Sequence, residues 1–421
     1  MLCGLRNTSE PEPSNRRGVS SQRDSNAPAK RAGLAQANEA SWLSLAASAL
    51  TGRAVAEFGA SQTPNAPAKR ARTALLAGLL LIQAPLAAEP LKVAFVHENP
   101  VGQGGWTLSH ELARERVQAH FGDAIETTAL DKVAPGGDTE RVLTKLARSG
   151  QQMIFATSFG HMSGAARVSR RFPDVVFEHA AGYTMGPNLG TYQIRAYQGR
   201  YLAGFAAGLV TETNRLGYVG AFPIPEVVRG INAFTLGARA ANPQVEVEII
   251  WISTWSDAGR SREAAELLAS LQADVITHHT ETSAAVQAAE QRGVWSVGYQ
   301  TDRSAFAPRH HLVSIAHNWL PIYRDKIQAR LDGRWTAQAK WVGVEQDATQ
   351  LVGWGGQVPQ EVRERVLEQR QRLLSGALRV FTGPLFDAQG RQRLAEGATM
   401  ADEDLLRMEW LLAGIGGDAP R

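Results

Sequence analysis

The chain has 421 residues, of which 44% are hydrophobic and 20% charged, the composition of a soluble globular protein large enough for two or three domains. Its formal charge of +3 belongs to the front of the chain: residues 1–88 hold ten Lys/Arg and five Asp/Glu, which leaves 34 basic and 36 acidic residues in 89–421. A nucleic-acid footprint needs basic residues clustered on the folded part, and a disulfide framework or cysteine metal site needs more than the single Cys3; both classes are excluded.

Residues 1–68 are rich in Ser, Asn, Ala and Pro, lack sustained periodicity, and are expected to be disordered. Part of this stretch repeats, since Asn26–Ala32 recurs as Asn65–Ala71. Residues 69–88 then combine a basic Lys69-Arg70-Ala71-Arg72, nine apolar residues from Ala74 to Ile82, and a small-residue end at Ala87-Ala88. Those are the three parts of a secretory signal peptide. Nine apolar residues are too few to cross a bilayer, which takes about 20. No cysteine follows the run, so the expected product is periplasmic, secreted without a lipid anchor. A signal belongs at the start of a chain, so translation is expected to begin downstream, with the first ~60 residues absent from mature protein.

From Leu91 short apolar strands alternate with amphipathic helices. Leu91–Val96 is a strand, followed by a helix from Leu108 to His120, a strand at Ile125–Leu130, and a helix capped by Asp138 that aligns Val142, Leu143 and Leu146 and ends at Gly150. Met153–Ala156 is a third strand. After Tyr197 the rhythm resumes: helix 199–210, strand 216–221, helix 225–240, strand 245–252, helix 261–271, strand 274–277, helix 282–292 between Thr282 and Gly293, and strand 294–298. Such repeats require parallel sheets covered by helices on both faces. About ten strands exceed one comfortable sheet, so two α/β lobes are expected.

Ligands of open parallel sheets sit beyond the carboxyl ends of the strands. There the sequence places Trp106, Ser158, Phe159, Phe222, Trp255, Asp257, Thr280, Gln300, Asp302, Asn318 and Trp319 as candidate ligand-binding residues. Flat rings among neutral hydrogen-bonding groups suit a planar heteroaromatic solute, held by stacking and read at its edge. Each ring has an ordinary alternative in the core, and Asp257 serves equally well as a helix-start residue. Gly102–Gly105 departs from G-x-G-x-x-G and is expected to form a turn. The pairs His278-His279 and His310-His311 point to opposite faces of a strand, so no metal and no cofactor is expected. Glu178 and His179 suggest acid–base chemistry only if a nucleophile with an ordered base accompanies them, and none stands out.

Taken together, Thr157–Gly160, Phe172–Asp174, Phe177–Tyr183, Tyr197–Gly204, Gly217–Val227 and Gly230–Phe234 resemble the Bmp (basic membrane protein) family of substrate-binding proteins for ABC importers, over about Lys92 to Trp410. The resemblance implies a type I periplasmic binding protein fold: two doubly wound lobes joined by three crossovers, with lobe 1 from 89–194 plus 314–340 and lobe 2 from 195–313 plus 341–421. It implies an aromatic sandwich in which Trp106 looks like the first-lobe ring and Trp255 the second. Family members that bind nucleosides place an acid of a Gly-Val-Asp-x-Asp pattern on the ribose. Here the stretch is Gly298-Tyr299-Gln300-Thr301-Asp302, with Gln300 at the first acid, and a Lys common nearby looks replaced by His317. A carboxylate accepts two hydroxyl hydrogen bonds with charge assistance, so its loss favours a free, adenine-like purine base over a nucleoside.

The expectation is therefore a monomeric, non-enzymatic carrier. It would close about its hinge on a purine, then dock on an ABC permease whose ATPase drives release, meeting the membrane only through that permease and touching no nucleic acid. Three other readings compete with it. A ligand sensor for a membrane receptor shares the fold. A sugar-repressor-like regulator needs an amino-terminal helix-turn-helix where this chain carries a signal. A purine hydrolase or deaminase needs a metal cluster or base–nucleophile pair.

Overall fold

The computed structural model describes residues 89–102 and 104–417, so the expected tail and signal at 1–88 lie outside the described residues. These residues belong to one compact unit. The chain begins with β1 (Leu91–Val96), α1 (Trp106–Phe121), β2 (Ile125–Leu130), α2 (Gly137–Arg148), β3 (Met153–Ala156), α3 (Met162–Ser169), β4 (Val176–Ala180) and β5 (Leu189–Ile194). It continues with α4 (Ala196–Val210), β6 (Arg215–Gly220), α5 (Pro225–Ala241), β7 (Glu246–Trp251), α6 (Ala258–Ser270), β8 (Val275–His278), α7 (Ala284–Arg292), β9 (Trp295–Gln300) and β10 (His311–His317). Then come α8 (Leu320–Leu331), β11 (Ala339–Val342), β12 (Thr349–Val352), α9 (Gln360–Leu374), the short pair β13 (Leu385–Phe386) and β14 (Gln392–Leu394), α10 (Asp402–Leu406) and β15 (Ile415–Gly416).

Two main sheets result, one in each lobe. The first runs β11-β5-β4-β3-β1-β2 and is wholly parallel. The second runs β12-β10-β9-β8-β6-β7-β15 and is parallel except where β12 meets β10. Strands such as β3 (Met-Ile-Phe-Ala) are buried at every position, as a sheet covered on both faces demands. The chain crosses between the sheets three times: at Arg195, after His317, and between Val342 and Thr349. This gives the two doubly wound lobes expected of the type I fold.

The lobe boundaries need correction. His311–His317 pairs with β9 and β12, so the second crossing falls at Asn318 rather than 314; Trp341 and Val342 pair with β5, so lobe 1 extends past 340. Helix starts shift as well. Gly136, not Asp138, precedes α2, and Asp138 instead accepts from the Ala134 amide. Ser283 precedes α7, with the Thr282 hydroxyl accepting from the Ala284 amide at 3.4 Å. Gly293, at φ 69°, closes α7 as expected.

Lobe 2 owes its tightest packing to small residues. A Cβ on Gly204 of α4 would lie 2.0 Å from the Phe234 carbonyl oxygen, and one on Gly237 of α5 would lie 1.9 Å from that of Tyr201. The two helices thus meet backbone to backbone. Beyond α9 the chain stays with lobe 2: Leu385, Leu405, Met408 and Leu412 enter its core, and β15 covers the edge of β7. In lobe 1 the buried Glu178 is paired with Lys326 at 2.6 Å and accepts from Trp335 Nε1 at 2.8 Å. Burial raises its pKa, the lysine opposing. The pair is a structural element of the core, as an ion pair removed from water must be matched.

Candidate functional site

A cleft between the carboxyl ends of the two sheets encloses about 540 Å³ of unfilled space, part of it open to solvent. Lobe 1 lines it with Glu98, Asn99, Trp106, Ser158, Phe159 and Ala181; lobe 2 lines it with Ile224, Glu226, Trp255, His279, Glu281 and Gln300. Strand ends deliver most of these groups, as the crevice rule requires. None of its lining residues is Lys or Arg.

Trp106 opens α1. Its Nε1 donates to the Thr157 carbonyl at 2.5 Å, and its ring makes T-shaped contacts with His110, Trp319 and His317 at 4.8, 5.0 and 5.8 Å. Opposite, Trp255 tilts against Phe222 at 5.0 Å and His279 at 6.2 Å. Beside Trp106, Ser158 donates to Glu98 and its carbonyl accepts from His179. Gln300 ends β9 with φ 71°, a left-handed conformation that few non-glycine residues adopt without a local reason. Its Oε1 is buried with no protein partner, as is Nδ1 of His279. Burial pushes the His279 imidazole well below its ordinary value, and the Arg200 charge adds to that. His317, behind Trp106, is driven down to about 3 by burial and then by Arg200. Both imidazoles are neutral at pH 7. Burial also raises the carboxyls of Glu226 and Glu281.

Residues 91–378 match the family model for ABC transporter substrate-binding proteins of the PnrA-like (Bmp) kind. The chain belongs to this family. Among its relatives, the purine-binding protein of Brucella abortus is 39% identical over 348 residues, covering 83% of this chain and 99% of that protein. A Haloferax volcanii protein named as an ABC transporter glucose-binding protein is 38% identical over 337 residues, 80% of this chain and 83% of its own. The solved ABC transporter solute-binding protein of Conexibacter woesei superposes with a TM-score of 0.58 at 23% identity, covering 69% of this chain and 98% of that one, and shares the type I fold. The Bmp family and these relatives are solute-binding proteins rather than enzymes. Membership brings a small-molecule ligand, an ABC permease as partner, and a place outside the cytoplasmic membrane. No described helix is long and apolar enough to cross a membrane.

Of the residues the sequence singled out in this Bmp-family chain, Trp106, Ser158, Phe159, Trp255 and Gln300 meet around the cleft. The other six do not line it. Phe222 backs Trp255. Asp257 caps α6 by accepting from the Arg260 amide at 3.0 Å, the alternative weighed for it. Thr280 pairs with His278. Asp302 turns back to the Ser304 amide at 2.9 Å. Asn318 sits at the second crossing, where its amide donates to the Asp347 carbonyl at 3.1 Å. Trp319 is 1% exposed and donates to Ser109, because it is the first-lobe core ring on which Trp106 rests.

Sequence reasoning missed Glu98, Glu226, His279 and Glu281 as wall residues. Glu98 follows β1 by two positions, and His279 and Glu281 follow β8, so the same strand-end rule could have found these three. Glu226 lies in the first turn of α5, a loop-to-helix position that strand ends do not mark. Gly104 and Gly105 form more than a turn. A Cβ on Gly104 would lie 2.0 Å from the Arg303 guanidinium, and one on Gly105 would lie 2.5 Å from the Glu281 carbonyl oxygen. They let the lobes approach at backbone distance.

Proposed function

We propose that this protein captures a purine base between its two lobes in the periplasm and presents it to an ABC permease. The observation that carries this reading is the pair of indoles, Trp106 from one lobe and Trp255 from the other, lining a common cleft together with Gln300 and His279. Stacking on an aromatic platform contributes about 1–3 kcal/mol per base. An amide carries both an acceptor and donors, the pairing that an aminopurine edge asks for. The unpartnered Oε1 of Gln300 supports a ligand that donates there. A lining without Lys or Arg disfavours phosphorylated ligands. Gln300 in place of a ribose-clamping carboxylate supports the base over the nucleoside.

Calorimetry with adenine, guanine, hypoxanthine, their nucleosides and glucose tests the reading. The bases should bind tightest; stronger binding of a nucleoside would refute the base, and stronger binding of glucose would refute the purine. The export signal at 69–88 is tested by amino-terminal sequencing of secreted protein, where a terminus before residue 80 would overturn it.

A further inference from the structure

Helix α1 carries no start signal of its own. Gly105 precedes it without a side-chain cap, and its first turn contains no acidic residue. The first amides of a helix lack intrahelical acceptors and sit at the positive end of its dipole. Two of them are satisfied from the opposite lobe: the Trp106 amide donates to Glu281 Oε2 at 3.0 Å and the Thr107 amide to Oε1 at 2.8 Å. Glu281 lies between β8 and α7 of lobe 2, and its own amide donates to the Trp255 carbonyl at 2.7 Å. One residue therefore touches the backbone of both aromatic walls. Arg303 secures it by donating to the Glu281 carbonyl at 2.8 Å. A second bond joins the lobes nearby, from the Gly105 amide to Thr301 Oγ1 at 3.1 Å.

We infer that Glu281 is a positioning residue for the bound solute: a clasp between the lobes that forms only on closure and sets the spacing of Trp106 and Trp255. Its two carboxylate oxygens suit two amide donors, which no neutral side chain of that length matches. The clasp exists only when α1 meets the loop after β8, so it stabilises the closed complex without contributing to either lobe alone. This inference rests on the cleft being the solute site.

The test compares the wild-type protein with Glu281→Ala, Glu281→Gln and Thr301→Val, using adenine as the probe. Stopped-flow fluorescence should give a koff about 10-fold higher in Glu281→Ala with kon within about twofold of wild type, since closure follows encounter. Glu281→Gln keeps one acceptor and should fall between; Thr301→Val should have the smallest effect. The melting temperature should drop in the adenine complex and hold in the ligand-free protein. An unchanged koff overturns the clasp, and so does a lower ligand-free melting temperature at unchanged koff, which marks a merely structural residue. Failure of wild type to bind any purine would sink the purine reading alone. Small-angle scattering of the protein carrying the solute it retains through purification then decides the clasp: a larger radius of gyration in Glu281→Ala than in wild type supports it, and equal radii overturn it.

Discussion

The two walls of the cleft are built differently. Trp106 is anchored at its ring nitrogen, packed against three neighbouring rings, and begins a 16-residue helix. Trp255, half-buried like Trp106, lies in the loop between β7 and α6, with aromatic contacts among the described residues to Phe222 and His279. Lobe 1 fixes its ring by a hydrogen bond at the indole nitrogen, whereas lobe 2 holds its ring in a loop by packing. Preorganising one wall lowers the ordering cost of binding.

The sharpest way to break this contrast is to truncate each ring in turn. Trp106→Ala should cost roughly 3 kcal/mol of stability through the cavity it opens and weaken adenine binding by about 100-fold or more. Denaturant melts and calorimetry check both; unchanged stability would show that the platform is not part of the lobe 1 core. Trp255→Ala should weaken binding by about 5- to 150-fold, the equivalent of one lost stack, and leave the ligand-free melting temperature within about 1 °C. A large drop there would make the two walls alike.

Acid should act on the platform side as well. His317 is held down to about 3, and burial also depresses His110, His161, His179, His278, His279 and His311. A histidine whose folded pKa lies below its unfolded value of about 6.5 contributes its full stability above 6.5, and loses it as pH falls toward the folded value. The raised carboxyls of Glu178, Glu226 and Glu281 act in the opposite sense, so the histidines set the direction by number. Melting temperature should fall on acidification from 6.5 to 4, and His317→Leu should flatten that profile by up to about 1.4 kcal/mol per pH unit. An unaltered slope would mean that His317 is not a buried neutral ring. The smallest effect concerns specificity. Gln300→Asp, at a left-handed position that Asp tolerates, should shift the adenosine-to-adenine affinity ratio about fivefold toward the nucleoside; competition binding measures it.

Much of the scaffold was legible along the chain. β1, β2 and β3 have the predicted limits, because unbroken apolar runs between polar breaks leave little freedom in where a buried strand can lie. β4 and β5 went unassigned as strands, since Val176–Ala180 includes Glu178 and His179, whose burial depends on Lys326, Trp335 and the Ser158 carbonyl elsewhere in the chain. The same limitation governed the site. Trp106 and Trp319 look equivalent as aromatic residues near strand ends, yet one lines the cleft and the other lies beneath it.

The order of residues by itself determined the alternation of strand and helix, the two α/β lobes, the positive surplus carried by residues 1–88, and the aromatic residues that reach the cleft. Those properties are local: periodicity, composition and strand-end position are written along the chain. Only the tertiary structure decided that β10 belongs to lobe 2, that Asp257 serves a helix rather than the cleft, and that α1 takes its cap from Glu281. These depend on which distant segments meet across the crossovers, and a hydrogen bond spanning 175 residues leaves no mark on the local pattern at either end.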